Sequence, residues 1–133
     1  MRVFLDVNVV MYAAGSSHPY REPSAQLLRR IAQGELDVVT DAEVLQELLY
    51  RYWHLNALSQ GLTLVERVVG MMPDILPVTA PDMVLATTLL RQHRRLEPRD
   101  AVHAGVMLSH GITHLYSYDR LFETIPGFTR LEP

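Results

Sequence analysis

Short apolar segments alternate with longer amphipathic segments along the whole chain. The apolar segments predict strands, the first of which ends at Asp6. The further predicted strands cover residues 36–40, 75–78, 112–117 and 128–131. Between them, apolar residues recur at helical spacing over 8–14, 20–33, 41–54, 59–72, 82–94 and 98–110. Such alternation is typical of a mainly parallel sheet of four to five short strands with helices on both faces.

Local signals place several boundaries within this pattern. Thr40, followed three residues later by Glu43, predicts a capping box that opens the third helix. Asp82 in the first turn of a later helix is interpreted as a cap rather than a ligand, because a carboxylate there offsets the helix dipole. Pro77 cannot donate to a strand ladder, so the third strand is expected near an edge of the sheet.

Composition limits the chemistry. The 133 residues are expected to form one domain spanning 1–133, and the absence of cysteine excludes disulfides, thiolate metal sites and cysteine nucleophiles. All 12 basic residues are arginine, which excludes any mechanism that requires lysine. The net charge of −3 argues weakly against a general nucleic-acid coat protein. No apolar stretch is long enough to span a membrane, so a soluble, cytoplasmic protein is expected.

Four acidic residues lie where a parallel sheet would bring them together. Asp6 and Asp119 follow strands, Asp100 begins a helix, and Glu47 lies two turns into the helix after the second strand. The carboxyl ends of parallel strands are where ligands bind in such folds. Simpler interpretations remain open: Asp6 also suits a helix N-cap, and Glu47 also suits a surface salt bridge with Arg51.

Converging carboxylates suit a hard divalent cation. Without a cation their mutual repulsion would raise their pKa values and reduce stability. Oxygen ligands favour Mg²⁺ or Mn²⁺ over zinc. A cleft of this kind is what metal-dependent phosphodiester hydrolysis requires.

The chain resembles the PIN-domain ribonucleases, and among them the small VapC-like toxins of toxin–antitoxin pairs. The resemblance spans nearly the whole chain, in the expected order. The matching features are Asp6-Val7-Asn8, Glu47 after Thr40, Asp100-Ala101, the run from Leu115 to Asp119, Phe122 and Pro126-Gly127.

The resemblance implies a three-layer α/β/α fold and cleavage of single-stranded RNA. It implies that Asp6, Glu47, Asp100 and Asp119 bind Mg²⁺ or Mn²⁺ and form the catalytic site, supported by two polar side chains, Asn8 and Ser117. A cognate antitoxin and a homodimer are the implied partners. Ser117 stands where threonine is common in the family, and Val7 replaces a small or hydroxylated residue.

Basic and aromatic residues near these acids have two interpretations each. An arginine cluster precedes Asp100 and either steers RNA phosphates or offsets the dipole at a helix end; it comprises Arg91, Arg94, Arg95 and Arg99. An aromatic group ends the third helix and either stacks bases or forms core or interface; it comprises Tyr50, Tyr52 and Trp53. His103, one turn after Asp100, is interpreted as structural.

Three other functions compete with a toxin. The haloacid-dehalogenase-like phosphatases also place an Asp after a first strand, but their second acid is Asn8 here and the chain has no lysine to hold a phosphoryl group. A stand-alone PIN-like RNA-processing nuclease uses the same site without an antitoxin. A non-catalytic PIN-like binding module is the third, although binding alone has no use for four repelling acids.

Overall fold

The computed structural model describes all 133 residues. Its elements in chain order are β1 Val3–Leu5, α1 Val7–Ala14, α2 Arg21–Ala32, β2 Val38–Asp41, α3 Ala42–His54, α4 Leu58–Met71, β3 Ile75–Leu76, α5 Ala80–Gln92, α6 Pro98–Ser109, β4 His114–Tyr116, a 3-10 helix Arg120–Thr124, and β5 Thr129–Leu131. No helix is long and apolar enough to cross a membrane.

A five-stranded sheet forms the centre of the molecule, and all its strands are parallel. The strand order is β3-β2-β1-β4-β5, so β1 is central and β3 is an edge strand, as Pro77 predicted. The chain runs from β1 outward to β3 and then back across to β4 and β5. Because crossovers between parallel strands are right-handed as a rule, this reversal places helices on both faces. The predicted α/β/α fold is therefore confirmed.

The core is built on the central strands. Phe4, Leu5, Val39 and Leu115 are fully buried because strands covered on both faces have no solvated side. The strands are shorter than predicted: β2 begins at Val38, since the residues before it are half-buried or exposed.

The start of α3 corrects one prediction. The N-cap is Asp41, whose Oδ1 accepts a hydrogen bond from the Val44 N–H at 2.9 Å. Thr40 is not the cap, because its hydroxyl is buried and donates to the Leu5 carbonyl at 2.8 Å. The predicted role of Asp82 is confirmed: it forms a capping box with Thr79 at the start of α5.

Helices α5 and α6 pack at very close range beneath the site. A Cβ on Gly105 of α6 would lie 2.5 Å from the Asp82 carbonyl oxygen, so the contact requires glycine. This close packing fixes α6, and with it the residues of its first turns, against the rest of the molecule.

Candidate active site

Asp6 links the central strand to the first helix. It follows β1, caps α1 through a 2.8 Å hydrogen bond from the Val7 N–H to Oδ1, and is 3 % exposed. Its other oxygen, Oδ2, accepts hydrogen bonds from the Ser117 hydroxyl at 2.6 Å and from the Asn8 amide at 3.2 Å. Capping is therefore confirmed, and it leaves Oδ2 at the carboxyl edge of the sheet.

A network of hydrogen bonds connects Asp6 to Asp119. The Ser117 Oγ also accepts hydrogen bonds from the Asn8 amide at 3.1 Å and from the Asp119 N–H at 3.0 Å. Asn8 Oδ1 accepts in turn from the Tyr118 N–H at 3.2 Å. Asp119 begins the 3-10 helix, and its Oδ1 accepts from the Leu121 N–H at 3.0 Å. Asn8 and Ser117 thus fix the positions of both acids.

Asp100 meets these acids from the first turn of α6. Burial, followed by the negative charges of Asp6 and Asp119, raises the pKa of Asp100 to about 7, while His103 opposes the shift. Burial likewise raises the pKa of Asp6, against the influence of His103 and Ser117. A carboxylate oxygen of Asp6, a carboxylate oxygen of Asp100 and a ring nitrogen of His103 all lie within 4.8 Å of one another. The strands and α6 therefore bring negative charge together at one point.

Glu47 is held by a buried chain of three side chains. The Asp41 Oδ2 lies 2.8 Å from His103 Nδ1, and His103 Nε2 lies 2.6 Å from Glu47 Oε1. All three side chains are at least 97 % buried. The Arg51 guanidinium lies 3.9 Å from the other Glu47 oxygen, but a surface salt bridge is the wrong description because the carboxylate is buried.

The imidazole of His103 is the positive charge inside this acidic cluster. Burial lowers its pKa, but the hydrogen bonds to Asp41 and Glu47 and the nearby charges outweigh that effect and hold the pKa well above the ordinary value. Both ring nitrogens are occupied, so no lone pair is free for a metal. His103 therefore positions Glu47 and offsets its charge.

Sequence reasoning missed Asp41 as a member of this site. Asp41 lies 62 residues before His103 and is adjacent to the threonine that had been taken as the cap. No helical signal pointed to it, because Asp41 ends β2 and a spacing of six residues does not place it on the same helix face as Glu47.

The arginine cluster is spread out. Arg91, Arg94 and Arg95 are exposed in the last turn of α5 and the connection that follows it. Arg99 is half-buried, and its guanidinium lies 5.1 Å above the Tyr50 ring. Only Arg99 thus has an aromatic contact near the site.

The aromatic group at the end of α3 does not form one surface. Tyr52 is buried in the core, where its Cβ closely approaches Gly61 of α4. Tyr50 and Trp53 are 40 % and 61 % exposed. A surface that includes all three residues is therefore wrong, and the exposed part is Tyr50 and Trp53.

Comparison with known proteins fits this geometry. The model of the PIN domain family matches residues 3–127. The chain belongs to the PIN-domain family. Ribonuclease VapC13 of Mycobacterium tuberculosis is 36% identical over 129 residues, covering 97% of this chain and 98% of the relative. Ribonuclease VapC23 of the same organism is 36% identical over 120 residues, covering 88% and 92%.

Solved structures of VapC and VapBC proteins share the fold of this chain at low sequence identity. The VapC20 toxin of Mycobacterium tuberculosis, described as cleaving the sarcin-ricin loop, superposes with a TM-score of 0.79 at 19% identity, covering 98% of this chain and 99% of that one. VapBC2 from Rickettsia felis, bound to a promoter DNA fragment, gives 0.76 at 16% identity, with coverage of 99% and 98%. The resemblance to the PIN-domain ribonucleases is confirmed, and the phosphatase alternative is set aside.

Proposed function

We propose that this chain is a metal-dependent endoribonuclease that cleaves single-stranded RNA and acts as the toxin of a toxin–antitoxin pair. The observation that carries the proposal is the meeting of the Asp6 and Asp100 carboxylates within 4.8 Å, where burial, followed by the charges of Asp6 and Asp119, raises the pKa of Asp100 to about 7. Acids that repel one another in the free protein are stabilised by a cation, because its charge removes the repulsion.

The donor atoms fit a hard divalent ion. Asp6, Glu47, Asp100 and Asp119 would hold Mg²⁺ or Mn²⁺, since each offers carboxylate oxygen and His103 has no free nitrogen. Such an ion, when bound, polarises a phosphoryl oxygen and lowers the pKa of a water molecule.

The chain's own residues orient these ligands before the ion arrives. Ser117 and Asn8 fix Asp6 Oδ2 through short hydrogen bonds. His103 fixes Glu47 and is itself fixed by Asp41. Hydrogen bonds to ligand side chains of this kind hold a metal site in its productive geometry.

The toxin role is supported by the relatives. Ribonucleases named VapC match nearly the whole chain at 36% identity, and structures with this fold include VapBC complexes. A protein partner of the antitoxin kind is therefore proposed, together with RNA as substrate. A stand-alone RNA-processing nuclease is the alternative. Co-purification of the chain with the product of an adjacent gene would support the toxin, and its absence would favour the stand-alone nuclease.

The proposal is tested by cleavage of a mixed pool of single-stranded RNA. Asp100→Asn is expected to reduce cleavage at least about 100-fold, because the amide removes a charged ligand while keeping the shape. Asp74→Asn is the matched control: Asp74 is half-exposed before β3, at the opposite end of the strands, and its change should leave the rate unaltered. Equal activity of Asp100→Asn and the parent would overturn the proposal and favour a non-catalytic module.

A further inference from the structure

Four aromatic rings pack against one another beside the acidic cluster. The rings of Tyr20 and Tyr118 are stacked, with centroids 3.9 Å apart and planes within 7°. Tyr12 meets both edge-on, at 5.2 and 5.3 Å. The His18 ring lies 4.6 Å from Tyr12 and 4.9 Å from Tyr20. Mutual packing of this kind fixes the ring planes.

The loop that carries His18 is also held by its backbone. The Tyr20 N–H donates to His18 Nδ1 at 3.0 Å, which leaves Nε2 without a partner in the chain. Gly15 begins the loop, and a Cβ there would lie 2.9 Å from the Met11 carbonyl oxygen. The His18 ring is therefore exposed to solvent but already oriented.

A cavity of about 320 Å³ opens next to these rings. It is lined by Asn8, Met11, Tyr12, residues 15–18 and Arg51. This volume is at the lower end of the range for small-molecule sites, about 300–1,000 Å³. The hydroxyls of Ser16 and Ser17 make no hydrogen bond within the chain, so they are free to bond a ligand.

The cavity adjoins the acids directly. Asn8 lines it and also donates to Asp6 Oδ2 at 3.2 Å, and Arg51 lines it 3.9 Å from Glu47 Oε2. A second cavity, of about 400 Å³, shares Met11 and Arg51 with the first and extends to Arg99 above the Tyr50 ring. Arginines and aromatic rings thus follow one another along a groove past the acids.

We propose that the cavity beside Asn8 is a subsite for one unpaired nucleobase of RNA, stacked against the His18 and Tyr12 rings. The inference rests on the proposed ribonuclease function, which places an RNA strand at the acids. Rings that stack bases, together with cations that contact the backbone, are how proteins bind single strands. The Ser16 and Ser17 hydroxyls would bond the base edge as donors or acceptors.

The test measures binding rather than cleavage. Fluorescence anisotropy compares four 12-nucleotide homopolymeric RNAs with an abasic chain of equal charge, using the Asp100→Asn variant so that no RNA is cut. The best homopolymer is expected to bind about 5-fold to 100-fold tighter than the abasic chain, the usual range for one stacked base. Adding His18→Ala should reduce that ratio at least about 5-fold without changing binding of the abasic chain.

Two further variants separate base stacking from a general loss of structure. His18→Phe keeps a ring and should restore most of the ratio. His110→Ala, at the far end of α6, should leave it unaltered. Equal binding of base-bearing and abasic chains, or an unchanged ratio in His18→Ala, overturns the subsite. This binding test is independent of the cleavage test. If the base-bearing RNA binds tighter as expected but the parent protein cuts no RNA, the proposed function is contradicted and the subsite is not.

Discussion

At the scale of the residue, Asp100 is the group most sensitive to its neighbours. Burial, followed by the charges of Asp6 and Asp119, raises its pKa from the 3.8 of a free aspartate to about 7. Between those two pH values the folded state binds more protons at this site than the unfolded state does. Its contribution to the free energy of unfolding therefore falls as pH rises from about 4 to 7.

Asp100→Asn should remove this pH dependence. In metal-free buffer at pH 7.5 the variant is expected to be more stable than the parent by at least about 1 kcal/mol, because the amide cannot ionise. At pH 4.5 the difference should nearly vanish, since the parent's Asp100 is then protonated. Urea unfolding at the two pH values measures both quantities. A variant less stable than the parent at pH 7.5 would show that the Asp100 carboxylate is a structural acceptor.

At the scale of the element, His103 ties α6 to α3. Its ring is hydrogen-bonded to Asp41, which caps α3, and to Glu47, which lies two turns into the same helix. Both contacts are buried. Removal of one member of a buried charged set usually costs about 3–5 kcal/mol, because the remaining charges lose their partner.

His103→Leu should therefore reduce stability by about 3–5 kcal/mol in urea unfolding. Combining it with Asp41→Asn and Glu47→Gln should recover part of the loss, because neutral amides are buried at lower cost than unpaired carboxylates. His110→Leu, a histidine change at the exposed end of the same helix, serves as control and should cost little. If the triple variant is less stable than His103→Leu alone, charge pairing is not what holds these helices together.

The contact between α3 and α6 also marks the limit of what the sequence predicts. The sequence pattern located all six helices and all five strands, because each helix buries one face against the sheet and each strand is a short apolar run. Thr40 heads a capping-box pattern and is therefore predicted as the cap, whereas the strand continues one residue further and turns Thr40 into the core. The bond from His103 to Asp41 joins residues 62 apart, and such pairing leaves no periodic signal.

The acids themselves were easier to predict than the residues that hold them. Each of Asp6, Asp100 and Asp119 follows a strand or begins a helix, so topology alone directs it to one edge. The cavity beside Asn8 involves the loop between α1 and α2, at whose end the Tyr20 ring stacks on that of Tyr118. Loop geometry of that kind follows from tertiary packing and was not predicted.

At the scale of the whole molecule, a homodimer stays a prediction. Trp53, 61 % exposed next to Tyr50, is the largest apolar side chain on the surface of α3, and it is the candidate centre of an interface. Light scattering at about micromolar concentration should give twice the chain mass for the parent and one chain mass for Trp53→Ser. Leu108→Ser, at the distant end of α6, is the control and should stay dimeric. A monomeric parent would contradict the prediction.

The central claim for the whole molecule is that its acidic cluster is a metal-dependent cleavage site. Its most direct test follows the cleavage of end-labelled single-stranded RNA by the parent protein, first after removal of metal with chelator and then on addition of Mn²⁺ or Mg²⁺. Cleavage should stop with chelator and return as the ion is added. The same titration should raise the melting temperature, because an ion at about 100 times its dissociation constant adds about 2.7 kcal/mol of stability. Cleavage that continues unchanged in excess chelator would contradict the account.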